Sequence, residues 1–191
     1  MPLPDRLLES VASAAVAEGL VDAIYTTVPT RIGPLLVVSG EHGLLKVSFP
    51  EHPVDDALAE IAQRIGPRVV GSKRELSEVS ERISAYFDGD LDAIDMPYDL
   101  RLATGFRREA LEALAQTTHP GEVVTYKELA ARAGRPRAIR AAATACATNP
   151  IPLVVPCHRV VPSTGGIGNY GGGVERKATL LELEGSILDL G

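Results

Sequence analysis

An acidic stretch from Asp88 to Asp99 divides this sequence into two unlike halves and so limits the folds open to it. Gly89 and Pro97 interrupt regular structure within it, as is typical of a linker. Strand-like runs are concentrated before this stretch, and helical periodicity prevails after it. The pattern predicts an α+β protein with a small N-terminal α/β domain at residues 1–95 and a mostly helical domain at residues 96–191.

The first half predicts a short antiparallel sheet with accompanying helices. The turn at residues 40–43 joins two of the strands into a hairpin, and Ser72 with Glu75 forms a capping-box pattern for a later helix. An amphipathic N-terminal helical extension carries Leu7, Leu8 and Val11, which we expect to pack. Strands are predicted at 23–28, 34–39, 44–49 and 68–70. Helices are predicted at 4–20 and 55–63, and a third follows the Ser72 cap and reaches Phe87.

The second half contains two short helices at helix-turn-helix spacing. Thr104 is expected to cap the start of a longer helix that comes before this pair. Thr125 with Glu128 forms a capping box for a helix through Arg132. Gly134 breaks that helix, and Pro136 is placed to begin another that runs to about residue 147. The spacing is typical of a helix-turn-helix that places its second helix in a DNA groove, although a plain αα-corner of the core would look the same.

Charge is unevenly distributed along the chain. The net charge of −6 argues against a nucleic-acid partner. Residues 126–159 nevertheless hold six basic residues and one acidic residue. Such a concentration suits phosphate binding, and a solvated helix face would show it too. The six basic residues are Lys127, Arg132, Arg135, Arg137, Arg140 and Arg159.

Cysteine content and hydropathy exclude several classes of protein. Two cysteines are too few for a disulfide framework, and no metal-ligand spacing occurs, so we expect no structural metal. No apolar run approaches the roughly 20 residues that cross a bilayer. We therefore expect no membrane partner and a cytoplasmic protein, or a nuclear one in a eukaryote.

Cys157 and His158 are the strongest candidates for chemistry. They follow the apolar, strand-like run 153–155 and precede a glycine-rich loop at 163–173 that a ligand could approach. A thiol beside an imidazole is a common way to present a thiolate nucleophile. Cys146, within an alanine-rich helix, is interpreted as a small buried hydrophobe. An orienting carboxylate for His158 would come from Glu182, Glu184 or Glu175, among which spacing does not choose.

Three segments of the second half resemble a known protein family. Residues 149–161 read Asn-Pro-Ile-Pro-Leu-Val-Val-Pro-Cys-His-Arg-Val-Val, residues 168–170 read Gly-Asn-Tyr, and residues 180–185 read Leu-Leu-Glu-Leu-Glu-Gly. They resemble the O6-alkylguanine-DNA alkyltransferases, also called methylated-DNA–protein-cysteine methyltransferases. The similarity runs from about residue 104 to 185, and residues 25–49 are similar to the family's first domain.

The resemblance implies single-turnover DNA repair. The enzyme flips O6-alkylguanine, with O4-alkylthymine as a second candidate, out of duplex DNA from the minor groove, and an irreversible transfer leaves the alkyl group on Cys157. His158 would deprotonate the thiol through a water, Glu184 would orient His158, and Asn149 would tie the recognition helix to the active-site loop. The DNA and the base would be contacted by Tyr126, Arg140, Ala141, Thr144, Arg159, Val160, Tyr170 and Gly171. No cofactor or metal is implied, and we expect a monomer that could bind DNA cooperatively.

Three positions depart from the family pattern. Ala143 and Thr144 stand where the family usually has Gly-Gly or Gly-x, and Gly171 stands where many members have a serine. Two other functions stay open at this point. One is a module that recognises alkylguanine without transfer, against which Cys157 counts, and the other is a cysteine hydrolase with multiple turnovers.

Overall fold

The computed structural model describes residues 4–186 of the 191-residue chain. The first half holds a four-stranded sheet in the order β3-β2-β1-β4. Neighbouring strands among β1, β2 and β3 pair antiparallel, as expected for a hairpin-rich run, whereas β4 pairs parallel with β1. The strands are β1 (Ala23–Val28), β2 (Leu35–Gly40), β3 (Gly43–Ser48) and β4 (Val69–Gly71), and the helices are α1 (Asp5–Ala17), α2 (Val54–Arg64) and α3 (Ser77–Phe87).

The second half is mostly helical, so the α+β class is confirmed. Its helices are α4 (Phe106–Thr117), α5 (Tyr126–Arg132), α6 (Ile139–Ala147) and α7 (Val174–Leu183). The predicted capping box at the start of α5 is present, because the Thr125 hydroxyl accepts from the Glu128 amide while the Glu128 carboxylate accepts from the Thr125 amide. A two-residue parallel ladder joins β5 (Val124–Thr125) to β6 (Val160–Val161). It places the start of α5 beside the segment that follows Cys157.

Both halves contribute to one hydrophobic core. Buried residues from the sheet, such as Val47, belong to the same cluster as Leu111 of α4 and Leu180 of α7. The acidic stretch predicted as a linker is packed as well, since its apolar residues Ile94 and Met96 are buried in that cluster. The second half is therefore supported by the first over a continuous apolar contact.

Several predicted boundaries are wrong, each for a local reason. The Ser72 hydroxyl accepts from the Glu75 amide but closes a turn, and α3 begins only at residue 77. Gly105, not Thr104, precedes α4. Pro136 lies in a turn before α6. The run around Leu153 is a turn and not a strand, and Leu153 adopts a left-handed φ of 78°.

The N-terminal extension is held by polar contacts instead of the expected apolar ones. The Glu9 carboxylate accepts hydrogen bonds from the Ser72 hydroxyl and the Lys73 amide, whereas Leu7, Leu8 and Val11 are 47%, 48% and 61% exposed. Of the helices within residues 4–186, none has the length and apolarity needed to cross a membrane.

Candidate active site

Cys157 is a buried thiol that accepts a hydrogen bond from Asn149. It begins a single 3-10 turn, Cys157–Arg159, and is 5% exposed. The Asn149 amide nitrogen Nδ2 lies 3.1 Å from the Cys157 sulfur and 2.8 Å from the Val155 carbonyl, and its Oδ1 accepts from the Ile151 amide at 3.0 Å. Asn149 thereby fixes the turn before Cys157 and directs an N–H at the sulfur. Such a donor stabilises a thiolate more than a thiol.

Cys157 rests as a thiol and not as a thiolate. Burial raises the pKa of Cys157 to about 11, although the hydrogen bond from Asn149 and the nearby ammonium of Lys177 act in the opposite direction. At neutral pH only a minute fraction is ionised. A nucleophilic attack by Cys157 therefore needs a base close by.

His158 has the features of that base. Its imidazole is fully buried, and Nε2 lies 3.0 Å from Glu184 Oε1. Burial lowers the pKa of His158 against the opposing pull of Glu184, so the ring is neutral at rest. Because Nε2 carries the proton toward the carboxylate, Nδ1 holds the free lone pair, and this buried atom has no hydrogen-bond partner among the described residues. Nδ1 is thus available to accept a proton.

Glu184 is the carboxylate at His158, which settles the choice that the sequence left open, since Glu175 and Glu182 are both exposed. Burial would raise the pKa of Glu184, but hydrogen bonds from Arg159 and His158 outweigh it and hold the pKa at about 2. The carboxylate receives Tyr86 Oη at 2.7 Å, His158 Nε2 at 3.0 Å and Arg159 Nη2 at 2.8 Å on Oε1, and Arg159 Nε at 2.8 Å on Oε2.

Lys177 and Tyr86 were missed in the sequence. Lys177 is fully buried in α7, and its Nζ donates to the Val160 carbonyl at 2.6 Å. Burial lowers its pKa to about 8. A signal existed for Lys177, because it shares an i, i+3, i+4, i+7 face with Leu180, Leu181 and Glu184 that packs inward. Tyr86 reaches the site from α3, nearly a hundred residues away in sequence, and no local pattern marks it.

An open cavity of about 540 Å³ leads from the surface to Cys157. Tyr126 stands half-buried on one side of it, where burial and the nearby thiols raise the pKa of its hydroxyl. Tyr170 and Gly171 lie on the other side, and the Tyr170 hydroxyl is buried with no partner among the described residues. Ala143, Thr144 and Cys146 of α6 also contribute to the wall. The cavity wall thus includes a thiol and two tyrosines.

A second cavity, of about 270 Å³, reaches Cys157 from the side of the first half. Phe49 and His52 line it together with Asn149 and Pro152. The two cavities share five lining residues, which are Cys146, Ala147, Cys157, Tyr170 and Gly171. Because the ring of Phe49 meets the Tyr170 ring edge-on, with centroids 5.6 Å apart, the first half braces one wall of the site.

Two residues predicted to contact DNA, Arg159 and Val160, are buried inside the protein. Arg159 is 4% exposed, and its guanidinium is used by Glu184 and by the Thr118 carbonyl at 2.6 Å. The prediction that Arg159 contacts DNA is therefore wrong, since a charge that stabilises a buried carboxylate is not free to meet phosphate. The side chain of Val160 is fully buried in the core and lines neither cavity, so only the backbone of Val160 is left to contact a base.

Three of the remaining predicted DNA contacts share one exposed face of α6, while Tyr126, Tyr170 and Gly171 line the cavity. Arg140, Ala141 and Thr144 are exposed on it, while Ala142 and Ala145 face inward. The Thr144 hydroxyl donates back to the Arg140 carbonyl at 3.1 Å, so this departure from the family pattern presents a methyl group outward and no free donor. Apart from Arg140, the side chains named on this face are short.

The local excess of positive charge is smaller at the surface than the sequence suggests. Arg132 donates to the Thr117 carbonyl, and Arg135 pairs with Glu109 at 3.1 Å and stacks over Phe106. Arg159 is buried against Glu184, so two of the six basic residues are paired with carboxylates, while Arg132 stays exposed and keeps its charge at the surface. Lys127, Arg137 and Arg140 are exposed, and none of them forms a salt bridge with another described residue. In the part of the chain with known placement, no three His, Cys, Asp or Glu side chains are grouped as metal ligands.

Comparison with known proteins places these features in a known context. Residues 23–100 match the family described as 6-O-methylguanine DNA methyltransferase, ribonuclease-like domain, and residues 105–186 match its DNA binding domain. A methylated-DNA–protein-cysteine methyltransferase of Methanosarcina barkeri is 34% identical over 163 residues, which are 84% of this chain and 96% of the relative. One from Mycolicibacterium paratuberculosis is 39% identical over 84% of this chain and 91% of its own length.

Solved structures agree with this match. The O6-methylguanine methyltransferase of Mycobacterium tuberculosis superposes with a TM-score of 0.73 at 34% identity, covering 85% of this chain and 93% of that one. A structure of the Mycobacterium tuberculosis protein in complex with DNA superposes with a TM-score of 0.72 at 35% identity, covering 85% and 92%.

Proposed function

The chain belongs to the 6-O-methylguanine DNA methyltransferase family, and we propose that Cys157 is the residue onto which it transfers the alkyl group. It is a DNA-repair enzyme that acts as a methylated-DNA–protein-cysteine methyltransferase. The observation that carries the assignment to Cys157 is its place at the end of an open cavity, under a donor N–H from Asn149 and beside the neutral base His158.

The transfer balances with the groups present. His158 Nδ1 takes up the thiol proton through an intervening water, the Cys157 sulfur attacks the alkyl carbon, and the bond from that carbon to guanine O6 breaks with its electron pair passing to the guanine. A proton must then reach the guanine, and the Tyr126 hydroxyl on the cavity wall can supply it while the proton held by His158 restores the tyrosine. The products are S-alkylcysteine and an unmodified guanine. Without a step that removes the alkyl group, each protein molecule reacts once.

DNA is the partner, and its approach is proposed from the exposed face of α6. We propose that Arg140 takes the place of the flipped base in the stack and that α6 lies in the minor groove. Ala141 and Thr144 permit close approach because neither carries a long side chain. Since acceptor, cavity and DNA face lie on one chain, the protein acts as a monomer in this proposal. Residues 96–191 bind DNA and accept the alkyl group, and residues 1–95 support them.

Mass spectrometry tests the proposal directly. Incubation with duplex DNA that carries one O6-methylguanine should add one methyl group to the peptide that contains Cys157, and Cys157→Ser should remove the reaction. An unmodified peptide with the lesion left in place would contradict it. Tight lesion binding that is equal in Cys157→Ala would instead indicate a recognition module, and turnover beyond one equivalent would indicate a hydrolase.

A further inference from the structure

Tyr86 brings the first half of the chain into contact with the acid–base groups. It lies on α3 and is fully buried, and its hydroxyl donates a hydrogen bond to Glu184 Oε1 at 2.7 Å. The same oxygen accepts from His158 Nε2 at 3.0 Å and from Arg159 Nη2 at 2.8 Å. Tyr86 and His158 therefore share a single carboxylate oxygen.

Sharing an oxygen has a chemical consequence for His158. A carboxylate that faces an imidazole favours the protonated ring, and every other donor on that oxygen withdraws part of the negative charge that the ring would feel. Tyr86 does this without a charge of its own. The charged and titratable groups around His158 are Glu184, which favours imidazolium, Arg159 and Lys177, which oppose it, and Cys157, while the Tyr170 ring stands edge-on with centroids 6.4 Å apart.

We propose that Tyr86 is a positioning residue for alkyl transfer, whose hydroxyl fixes the Glu184 carboxylate and limits its pull on His158, so that the imidazole stays neutral and can take the Cys157 proton. This role rests on the proposed function of Cys157. It also gives the first half of the chain a part in the chemistry, through one hydrogen bond from α3.

The pH dependence of Tyr86→Phe tests this role. The single-turnover rate of methyl transfer from an O6-methylguanine duplex is measured from about pH 5.5 to about pH 9, a range that brackets histidine titration. Without the hydroxyl, Glu184 holds a proton on His158 to higher pH. We expect the variant to be about threefold slower on the acid branch and within about twofold of the original protein on the alkaline plateau. Tyr98→Phe, at a half-buried tyrosine that contacts β3, is the matched control and should leave the profile unchanged.

A second substitution covers the case in which Tyr86→Phe does not fold. Replacing Tyr86 by 3-fluorotyrosine keeps the hydroxyl and makes it a stronger donor, so the acid branch should move in the opposite direction, toward faster transfer at low pH. A rate that falls equally at every pH, or an acid branch that does not move in either variant, would overturn the proposed role and leave Tyr86 as a packing residue.

An NMR titration of the His158 ring in unreacted protein separates this inference from the function it rests on. The ring should titrate at higher pH in Tyr86→Phe than in the original protein, whether or not transfer occurs. Absence of methyl on Cys157 in the original protein would defeat the proposed function. An unmoved His158 titration would defeat the role of Tyr86 alone.

Discussion

Phe49 lies so close to Gly172 that a Cβ built on Gly172 would stand 2.7 Å from the Phe49 ring. The ring of Phe49 is held from two other sides, by the edge-on Tyr170 and by the guanidinium of Arg176, whose carbon is 5.4 Å from the ring centroid. The loop that forms one wall of the cavity is thereby seated on the first half of the chain.

Gly172→Ala should therefore damage the site, and its neighbour supplies the control. A methyl group at residue 172 has to displace Phe49, an overpacking that costs about 1–3 kcal/mol, and Tyr170 would shift with it. At Gly171 a Cβ would meet only the Ala147 carbonyl oxygen, at an ordinary 3.8 Å. We expect Gly172→Ala to lower the free energy of unfolding in urea and to slow transfer, while Gly171→Ala leaves the free energy of unfolding unchanged. Equal effects would refute the contact.

Asn149 offers a graded test of the donor to sulfur. Asn149→Ala removes the N–H that points at Cys157, and Asn149→Asp puts a carboxylate in its place that repels the forming thiolate. Transfer rates should fall in the order original protein, Ala variant, Asp variant, with the Asp variant slower than the Ala variant by about tenfold or more. Single-turnover kinetics on lesion DNA measure this order. An Asp variant that reacts faster than the Ala variant would show that the hydrogen bond accepted from the Ile151 amide, which Asp keeps, matters more than the one donated to sulfur.

What the sequence could predict here was local. The Thr125–Glu128 capping box and the strands of the first half were readable because their signals lie within a few residues of each other. The family resemblance singled out Asn149 and Glu184. In the structure Asn149 contacts Cys157, and Glu184 contacts His158.

What the sequence could not predict depends on tertiary contacts. Arg159 was counted among the basic residues suited to phosphate binding, but the fold places a buried carboxylate next to it. Tyr86 is a further case, since only the packing of α3 against the end of α7 brings its hydroxyl to Glu184. The turn at Leu153 looked like a strand because an apolar run bounded by prolines carries no sign of a left-handed residue.

Because the pKa of Glu184 is low, we expect the folded protein to lose stability in acid. Its pKa is about 2 in the folded protein and lies near the usual 4.5 in the unfolded chain, so the unfolded state binds the proton first as the pH falls. The contribution is fully present above about pH 4.5 and is lost as the pH falls toward 2, a change of roughly 3 kcal/mol. Urea unfolding at a series of pH values measures it.

Glu184→Gln should flatten this acid dependence while lowering stability at neutral pH, because Arg159 is left as a buried charge without its carboxylate. The exposed Glu182→Gln is the control and should keep the steep acid branch. An unchanged slope in Glu184→Gln would mean that another carboxylate is responsible for it.

Arg140 separates DNA handling from chemistry. Its side chain is exposed on α6, so Arg140→Ala should leave the thermal unfolding midpoint unchanged. Transfer from duplex DNA should slow by about tenfold or more, since no side chain fills the space left by the flipped base. Reaction with the free base O6-methylguanine needs no flipping and should proceed at the original rate.

Arg140→Lys keeps the charge but lacks the planar group that stacks between bases. Its rate on duplex DNA should therefore lie between the rates of Arg140→Ala and the original protein. Arg74→Ala, at an exposed arginine of the first half, is the matched control. If Arg140→Lys were fully active, Arg140 would act as a phosphate contact, and the salt dependence of binding would then be the property that Arg140→Ala changes.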